Sequence, residues 1–262
     1  MTKPDTIVMV VPCYNEANRF SADSFKNFLL SHPNASFLFV DDGSTDETLT
    51  RLSEFCDGMD EQSRVISLES NLGKAEAVRQ GMLQLIDEGY QFIGYWDADL
   101  STPLDEIDNL LLSLKKSNAD VVIGSRVKLL GHEVDRRLYR HLMGRVFATL
   151  ASYALELPVY DTQCGAKIFT NTRFLEAVFQ DPFRSGWSFD VEMLKRFAIL
   201  YRITETTVNI LEVPLGHWTH ISGSKVKALD FFYAIYDLLY MKSYYRRLRV
   251  IDHYRQLISL TS

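Results

Sequence analysis

Short apolar runs alternate with segments of helical period through the first half of the chain, and this alternation restricts the fold more than any other feature. IVMVVP (7–12), FLFVDD (37–42), RVISLE (64–69), QFIGYW (91–96) and DVVIGS (120–125) have the length and composition of strands. Residues 21–31, 46–56, 74–87 and 103–116 between them carry helical spacing. Repeated strand–helix–strand units predict a mostly parallel sheet flanked by helices, an α/β fold. Asp46 is placed to cap one helix, and Thr102, Pro103, Asp105 and Glu106 form a helix start. The second half predicts a long helix over 134–155, a strand at GAKIFT (165–170), a helix after Trp187, strands around 203–214 and a helical segment from about Val226. No repeat or linker divides the chain, so one compact domain over 1–225 with a C-terminal helical segment over 226–262 is expected.

A parallel sheet binds ligands beyond the carboxyl ends of its strands. Those ends are unusually polar here, running PCYNEANR, DDGSTD, ESNLGKAEA, DADLSTP and GSR. In DADLSTP, Asp97 and Asp99 are two residues apart, which puts both side chains on one face of an extended chain. Carboxylates so placed either lead into the cap of the next helix or share a hard cation, Mg2+ or Mn2+, whose open positions take diphosphate oxygens. Thr102 and Pro103 account for the cap without Asp97. In DDGSTDET, the acidic pair Asp41 and Asp42 belongs to a strand-to-helix turn capped by Asp46, or hydrogen-bonds a pyrimidine imide or a ribose hydroxyl. NLGKAEA lacks the spacing of a P-loop, and no GxGxxG is present, which removes ATP hydrolysis and dinucleotide chemistry as readings.

Composition narrows the setting further. The 262 residues carry a formal net charge of −6, which argues against general nucleic-acid binding, while cations crowd into 126–145 and 242–255. Cys13, Cys56 and Cys164 have no metal-type spacing and read as free thiols in a reducing compartment. The N-terminus lacks the pattern of a signal peptide, and no segment reaches the roughly 18–20 charge-poor residues of a membrane span.

Taken in order, VPCYNE, DDGSTDET, NLGKAEAVRQGM, DADLSTP and GSR resemble the nucleotide-sugar domain of family-2 inverting glycosyltransferases, which have the GT-A fold. DTQCGAKIF, WSFDVEML and EVPLGHWTHISGSKV are similar to the branch that glucosylates dolichyl and other polyprenyl phosphates. The resemblance covers about 7–226. It implies that Pro12, Tyr14, Asn15 and Glu16 wall a uridine pocket, with Asp42 near the base and ribose and Lys74 nearby. It places Asp97 at the nucleotide or sugar, Asp99 on the metal and Arg126 beside the transferring region. Gly223, Ser224 and Lys225 would form a loop closing over the diphosphate, Lys225 stabilising departing UDP. Related mannosyl enzymes carry Gln two residues after the metal-binding aspartate, where this chain has Ser101, a weaker ligand; His220 is a further candidate ligand.

The acceptor decides the chemistry. A sugar hydroxyl needs a general base, and Asp190 stands where hydroxyl-glycosylating relatives carry one; a lipid phosphate is already ionised and needs cations instead. Arg136, Arg137, Arg140 and Arg145 lie on one predicted helix continued by the uncharged VFATLASYAL, which suits a phosphate headgroup with an apolar tail or an ordinary packed helix with a solvated basic end. In the C-terminal segment Asp230 and Asp237 form a narrow polar stripe opposite a wide Phe, Tyr and Leu face, followed by Lys242, Arg246, Arg247 and Arg249. That pattern fits peripheral docking on a bilayer or a homo-oligomer contact. The expectation is a metal-dependent transfer of glucose from UDP-glucose to a polyprenyl phosphate at the cytoplasmic membrane face. Transfer to a sugar hydroxyl and a non-catalytic nucleotide-sugar-binding protein are the alternatives.

Overall fold

The computed structural model describes residues 3–127, 133–134, 138–219 and 228–260. His220, Ser224, Lys225, Arg136 and Arg137 lie outside the described residues, as does the side chain of Arg140. The five strands expected in the first half form as β1 (Lys3–Cys13), β2 (Ala35–Asp41), β3 (Ser63–Ser67), β4 (Tyr90–Trp96) and β5 (Val121–Ser125). Helices α1 (Ala22–Ser31), α2 (Thr48–Asp57), α3 (Lys74–Asp87) and α4 (Glu106–Ser117) separate them. The second half adds β6 (Glu133–Val134), α5 (Leu138–Leu155), β7 (Ala166–Thr170), α6 (Arg173–Gln180), α7 (Phe189–Thr204), β8 (Ile210–Pro214), β9 (His217–Trp218), α8 (Ala228–Tyr244) and α9 (Leu248–Leu260).

The main sheet has seven strands in the order β3-β2-β1-β4-β7-β5-β8, and β6 pairs with β9 in a small second sheet. All neighbours in the main sheet are parallel except β7, which runs antiparallel between β4 and β5. The central strands β1, β2, β4, β7 and β5 are buried on both faces, so side-chain alternation divides two apolar layers. Ile7, Met9, Val11, Phe37, Phe39, Phe92 and Trp96 meet Phe25, Leu52 and Leu110 from α1, α2 and α4. Val8, Val10, Leu38, Val40, Ile93 and Tyr95 face the opposite layer, built from α3, α5, α6, α7 and the C-terminal helices.

Several boundaries differ from the sequence expectation. The helix expected over 134–155 begins at Leu138, because Glu133 and Val134 pair with β9. The strands expected around 203–214 reduce to β8, since α7 runs on to Thr204 and Glu205 ends it in a left-handed conformation. The C-terminal segment is two helices broken at 245–247, and Leu238, Met241, Tyr245, Val250, Tyr254 and Ile258 share the apolar layer with α7. Helix α2 begins at Thr48, with Glu47 and not Asp46 at the capping position; Asp46, one residue earlier, accepts the Thr48 N–H at 3.0 Å.

Candidate functional site

Register explains how the site is assembled. Trp96 on β4 is level with Ala166 on β7, so Asp97 and Gly165 meet just beyond the sheet, where the Asp97 N–H donates to the Gly165 carbonyl at 3.0 Å. The Asp97 carboxylate occupies the space that a Cβ on residue 165 would fill. Lys74, the first residue of α3, reaches across β1 to donate to Asp97 Oδ1 at 2.5 Å. Both side chains are partly exposed, at 40% and 37%, so the pair faces a cleft and not the core. Asp99 Oδ1 accepts the Ser101 N–H at 2.9 Å, closing a turn just beyond β4.

Electrostatics keep both partners ionised. Burial pushes the Asp97 carboxyl up, but the Lys74 ammonium, with Lys167 and Arg126 behind it, outweighs burial and holds it below the usual carboxylate range. Burial likewise disfavours the Lys74 charge, and Asp97, Asp190 and Asp99 together raise its pKa. A carboxyl lowered in the folded state contributes stability that is complete above its unfolded value, about 3.9, and is lost as pH falls through the folded one. Lys74→Met removes the largest favourable partner, so the Asp97 carboxyl is expected to titrate at higher pH. A carboxyl-carbon NMR titration checks this, and an unmoved Asp97 resonance refutes it.

Next to this pair lies a buried one. Tyr95 and Lys167 are level across β4 and β7 and point into the same layer, where the N-terminus of α7 brings Asp190. Lys167 Nζ donates to Asp190 Oδ1 at 2.6 Å and to the Cys164 carbonyl at 2.5 Å, and the Tyr95 hydroxyl donates to the same Asp190 oxygen. The side chains of Lys167 and Asp190 are 0% and 5% exposed. Burial first and the Asp190 charge second push the Tyr95 hydroxyl well above its ordinary pKa, so it stays a donor. The Phe189 ring packs 5.9 Å from the Tyr95 ring, and Lys74 Nζ stands 6.0 Å from the Phe189 centroid, which joins the two ion pairs through one aromatic contact.

Arg126, just after β5, forms a two-pronged pair with Asp161, at 2.6 Å from Nε and 2.7 Å from Nη2. Asp161 is held from behind, its N–H and that of Tyr160 donating to Glu212 on β8 at 2.6 and 2.7 Å. Arg126 also lies 5.6 Å from the Trp218 ring. Burial opposes its charge, yet Asp161 raises its pKa further, so the guanidinium is a permanent cation.

Residues at the ends of β1 and β2 are largely bonded to one another. Pro12 is level with Val40 inside the sheet. Asn15 takes a left-handed conformation, donates its N–H to Ser44 Oγ at 3.0 Å and accepts the Thr45 N–H at 2.9 Å. The Glu16 N–H donates to Thr48 Oγ1 at 2.8 Å, its carboxylate pairs with Arg19, and Tyr14 stands half-buried between these turns. Asp42 is 2% exposed and accepts the N–H groups of Leu72 and Gly73 at 2.7 and 2.9 Å, so it fixes the loop that presents Lys74. Burial raises the Asp42 carboxyl above its ordinary pKa despite those two bonds. Arg145, exposed on α5, stacks 3.9 Å from the Tyr160 ring, while Phe147, Ala148, Ala151, Ala154 and Leu155 of the same helix are core.

Among the described residues no three His, Cys, Asp or Glu side chains form a ready-made metal cage. Two carboxylates at the end of β4 still fit a magnesium or manganese ion, because such ions bind through one or two carboxylates and leave other positions to phosphate oxygens and water. Asp99 Oδ2 carries no hydrogen bond among the described residues, which makes it the available donor.

The sequence reading assigned no role to Gly165, Lys167, Tyr95 or Asp161. Lys167 did carry a signal, a lone cation inside the apolar run AKIF, where a buried charge demands a buried partner. Gly165 stands out only once its neighbour across the sheet is known.

An α/β sheet with one antiparallel insertion, and acidic and basic side chains gathered at the carboxyl ends of its parallel strands, defines a nucleotide-sugar-binding domain of the GT-A class. Solved structures of glucosyl-3-phosphoglycerate synthase from Mycobacterium tuberculosis share this architecture. One in complex with Mn2+, UDP and glucosyl-3-phosphoglycerate superposes with a TM-score of 0.60 at 20% identity over 91% of this chain and 78% of that one. A second structure of the same synthase gives a TM-score of 0.62. The sequence pattern of the family described as "Glycosyl transferase family 2" matches residues 8–183, and the chain belongs to that family. Dolichyl-phosphate β-glucosyltransferase of Saccharomyces cerevisiae is 31% identical over 90% of this chain and 74% of its own length. The proteins of that name from Drosophila melanogaster and Homo sapiens are 31% and 30% identical over 83% of this chain and 68% of theirs.

Proposed function

We propose that this chain transfers glucose from UDP-glucose to a polyprenyl phosphate, with inversion at the anomeric carbon, at the cytoplasmic face of a membrane. The observation that carries the reading is the Lys74–Asp97 pair seated on Gly165 beside Asp99, a charged cleft at the strand ends where a nucleotide sugar binds in this fold. The dolichyl-phosphate β-glucosyltransferases supply the sugar and the class of acceptor. A phosphate oxygen of the acceptor attacks the anomeric carbon from the side opposite UDP; the new C–O bond forms as the bond to the diphosphate breaks, and UDP keeps the electron pair. A Mg2+ or Mn2+ ion held by Asp99 and Asp97, with His220 as a further ligand, would offset the diphosphate charge when bound.

The protein's own groups do the remaining work. Lys74 and Arg126 place fixed positive charge around the cleft, and Asp97 orients the donor. Ser224 and Lys225, which lie outside the described residues, would serve the diphosphate, and Pro12, Tyr14, Asn15 and Glu16 would bound the uridine with the turn that Asp42 holds. Asp190 gives its Oδ1 to Lys167 and Tyr95 inside the core, a poor setting for a group that must take a proton from a hydroxyl, and this favours an acceptor that arrives ionised.

Among the described residues no helix is long and apolar enough to cross a membrane. Tyr236 and Leu239 on α8 and Tyr153 on α5 are more than half exposed, with Lys242 beside Tyr153. This surface, with Arg140 and Arg145 of α5 and with Arg136 and Arg137, which precede that helix in the sequence, would dock on the bilayer and receive the acceptor phosphate.

Incubation of the protein with UDP-glucose, Mn2+ and undecaprenyl or dolichyl phosphate in detergent tests the proposal. Release of UDP together with a glucosylated lipid is the expected result. UDP release only with a soluble sugar acceptor would replace the acceptor assignment, and no release with any donor and acceptor pair would leave a binding protein.

A further inference from the structure

Asp237, on the polar stripe of α8, is turned inward. Asp237 Oδ2 accepts the hydroxyls of Ser185 at 2.8 Å and Ser188 at 3.2 Å, and those two hydroxyls are 2.8 Å from each other. Ser188 directly precedes α7, its N–H donates to Ser185 Oγ at 3.0 Å, and its carbonyl accepts the N–H groups of Val191 and Glu192. Glu192 secures the other side of the same turn by accepting the N–H groups of Arg184 and Ser185 at 2.8 and 3.0 Å. Glu192 is itself fixed by Arg196 and Tyr245. The turn thus has two anchors, one inside α7 and one on α8.

The turn leads straight into the reacting region. Phe189 packs against Tyr95 and lies under Lys74, and Asp190 meets Lys167 and Tyr95. A shift of Ser188 would therefore move a ring and a carboxylate that touch both the cleft pair, Lys74–Asp97, and the buried pair beside it, Lys167–Asp190. An acidic group beside the first turn of α7 also suits the positive end of that helix. We propose that Asp237 is a positioning residue which, through Ser185 and Ser188, sets the start of α7 and with it the placement of Phe189 and Asp190 against Lys74 and Lys167. Helix α8 then helps to set the reaction centre as well as forming part of the outer surface. This inference rests on the transferase reading for its kinetic consequence, while the clamp itself is a statement about structure alone.

The test compares Asp237→Ala, Asp237→Asn and Ser188→Ala in the full-length protein. Asp237→Ala should lower kcat about tenfold with the KM for UDP-glucose within about twofold, as expected when reacting groups are misplaced but donor contacts persist. Asp237→Asn keeps a carbonyl acceptor and should recover most of the loss, and Ser188→Ala should fall between. Amide hydrogen exchange at Val191 and Glu192 should quicken in Asp237→Ala while the β4 amides stay protected. Unchanged exchange at those two amides, or kcat within about twofold of wild type, overturns the proposal, as does faster exchange spread over the whole sheet. If the wild-type protein shows no transfer at all, the functional reading fails and the exchange experiment alone decides whether the clamp exists.

Discussion

Gly165→Ala is expected to reduce glucosyl transfer by about 100-fold while leaving the protein folded. The added methyl would overlap the Asp97 carboxylate, and the carboxylate is the end of a partly exposed side chain that can turn away. The backbone of β4 and β7 need not move, so the cost falls on the position of Asp97 and its bond to Lys74. Displacing a substrate-positioning group by about 1 Å is enough for a loss of this order. Steady-state kinetics beside a melting curve check the expectation. Wild-type activity in Gly165→Ala would mean that the placement of Asp97 does not matter for transfer, and a large fall in Tm would mean that the sheet, not the cleft, had absorbed the methyl.

Lys167→Met should have the larger effect on stability. It leaves the Asp190 carboxylate buried with the Tyr95 hydroxyl but without its counter-charge. Breaking a buried pair from one side costs about 3–5 kcal/mol, which for a chain of this size is a fall in Tm on the order of 10 °C. Replacing both partners by apolar groups, Lys167→Met with Asp190→Leu, should recover only part of that loss, because no charge is then left without a partner but the buried Tyr95 hydroxyl and Cys164 carbonyl lose theirs. If the single variant melts like the wild type, the pair is not desolvated as its burial indicates. Asp190→Asn carries separate information: transfer that survives in the folded variant fits an ionised phosphate acceptor, whereas complete loss at unchanged stability would point to Asp190 as a base for a hydroxyl.

The parts of this molecule that were legible from sequence are those governed by local pattern. Five strands and their intervening helices could be read because strands buried on both faces leave unbroken apolar runs such as FLFV and DVVIG. Their polar ends followed from the geometry of parallel sheets, so the neighbourhood of Asp97, Asp99, Lys74 and Arg126 was visible in the sequence itself. α6 was not, since RFLEAVFQ is eight residues long and gives little more than two turns of periodicity. The break between α8 and α9 was also hidden, because 245–247 contain neither glycine nor proline and the chain turns there for tertiary reasons. Partnerships between distant elements were the least visible of all. Lys167 and Asp190 are 23 residues apart on a strand and a helix, and nothing in either segment names the other. Asp237 reads only as part of a narrow polar stripe, because a helical wheel cannot say which face meets Ser185.

The antiparallel insertion of β7 has a consequence for biosynthesis. β4 pairs with β1 on one side and with β7 on the other, and β5 joins the sheet only through β7. As the polypeptide leaves the ribosome, the edge of FIGYW therefore waits unpaired while the 74 residues after Trp96, through Thr170, are translated. An open apolar edge of that kind is a template for wrong pairing between nascent chains. Early chaperone engagement should favour a soluble yield more than any change to the finished surface.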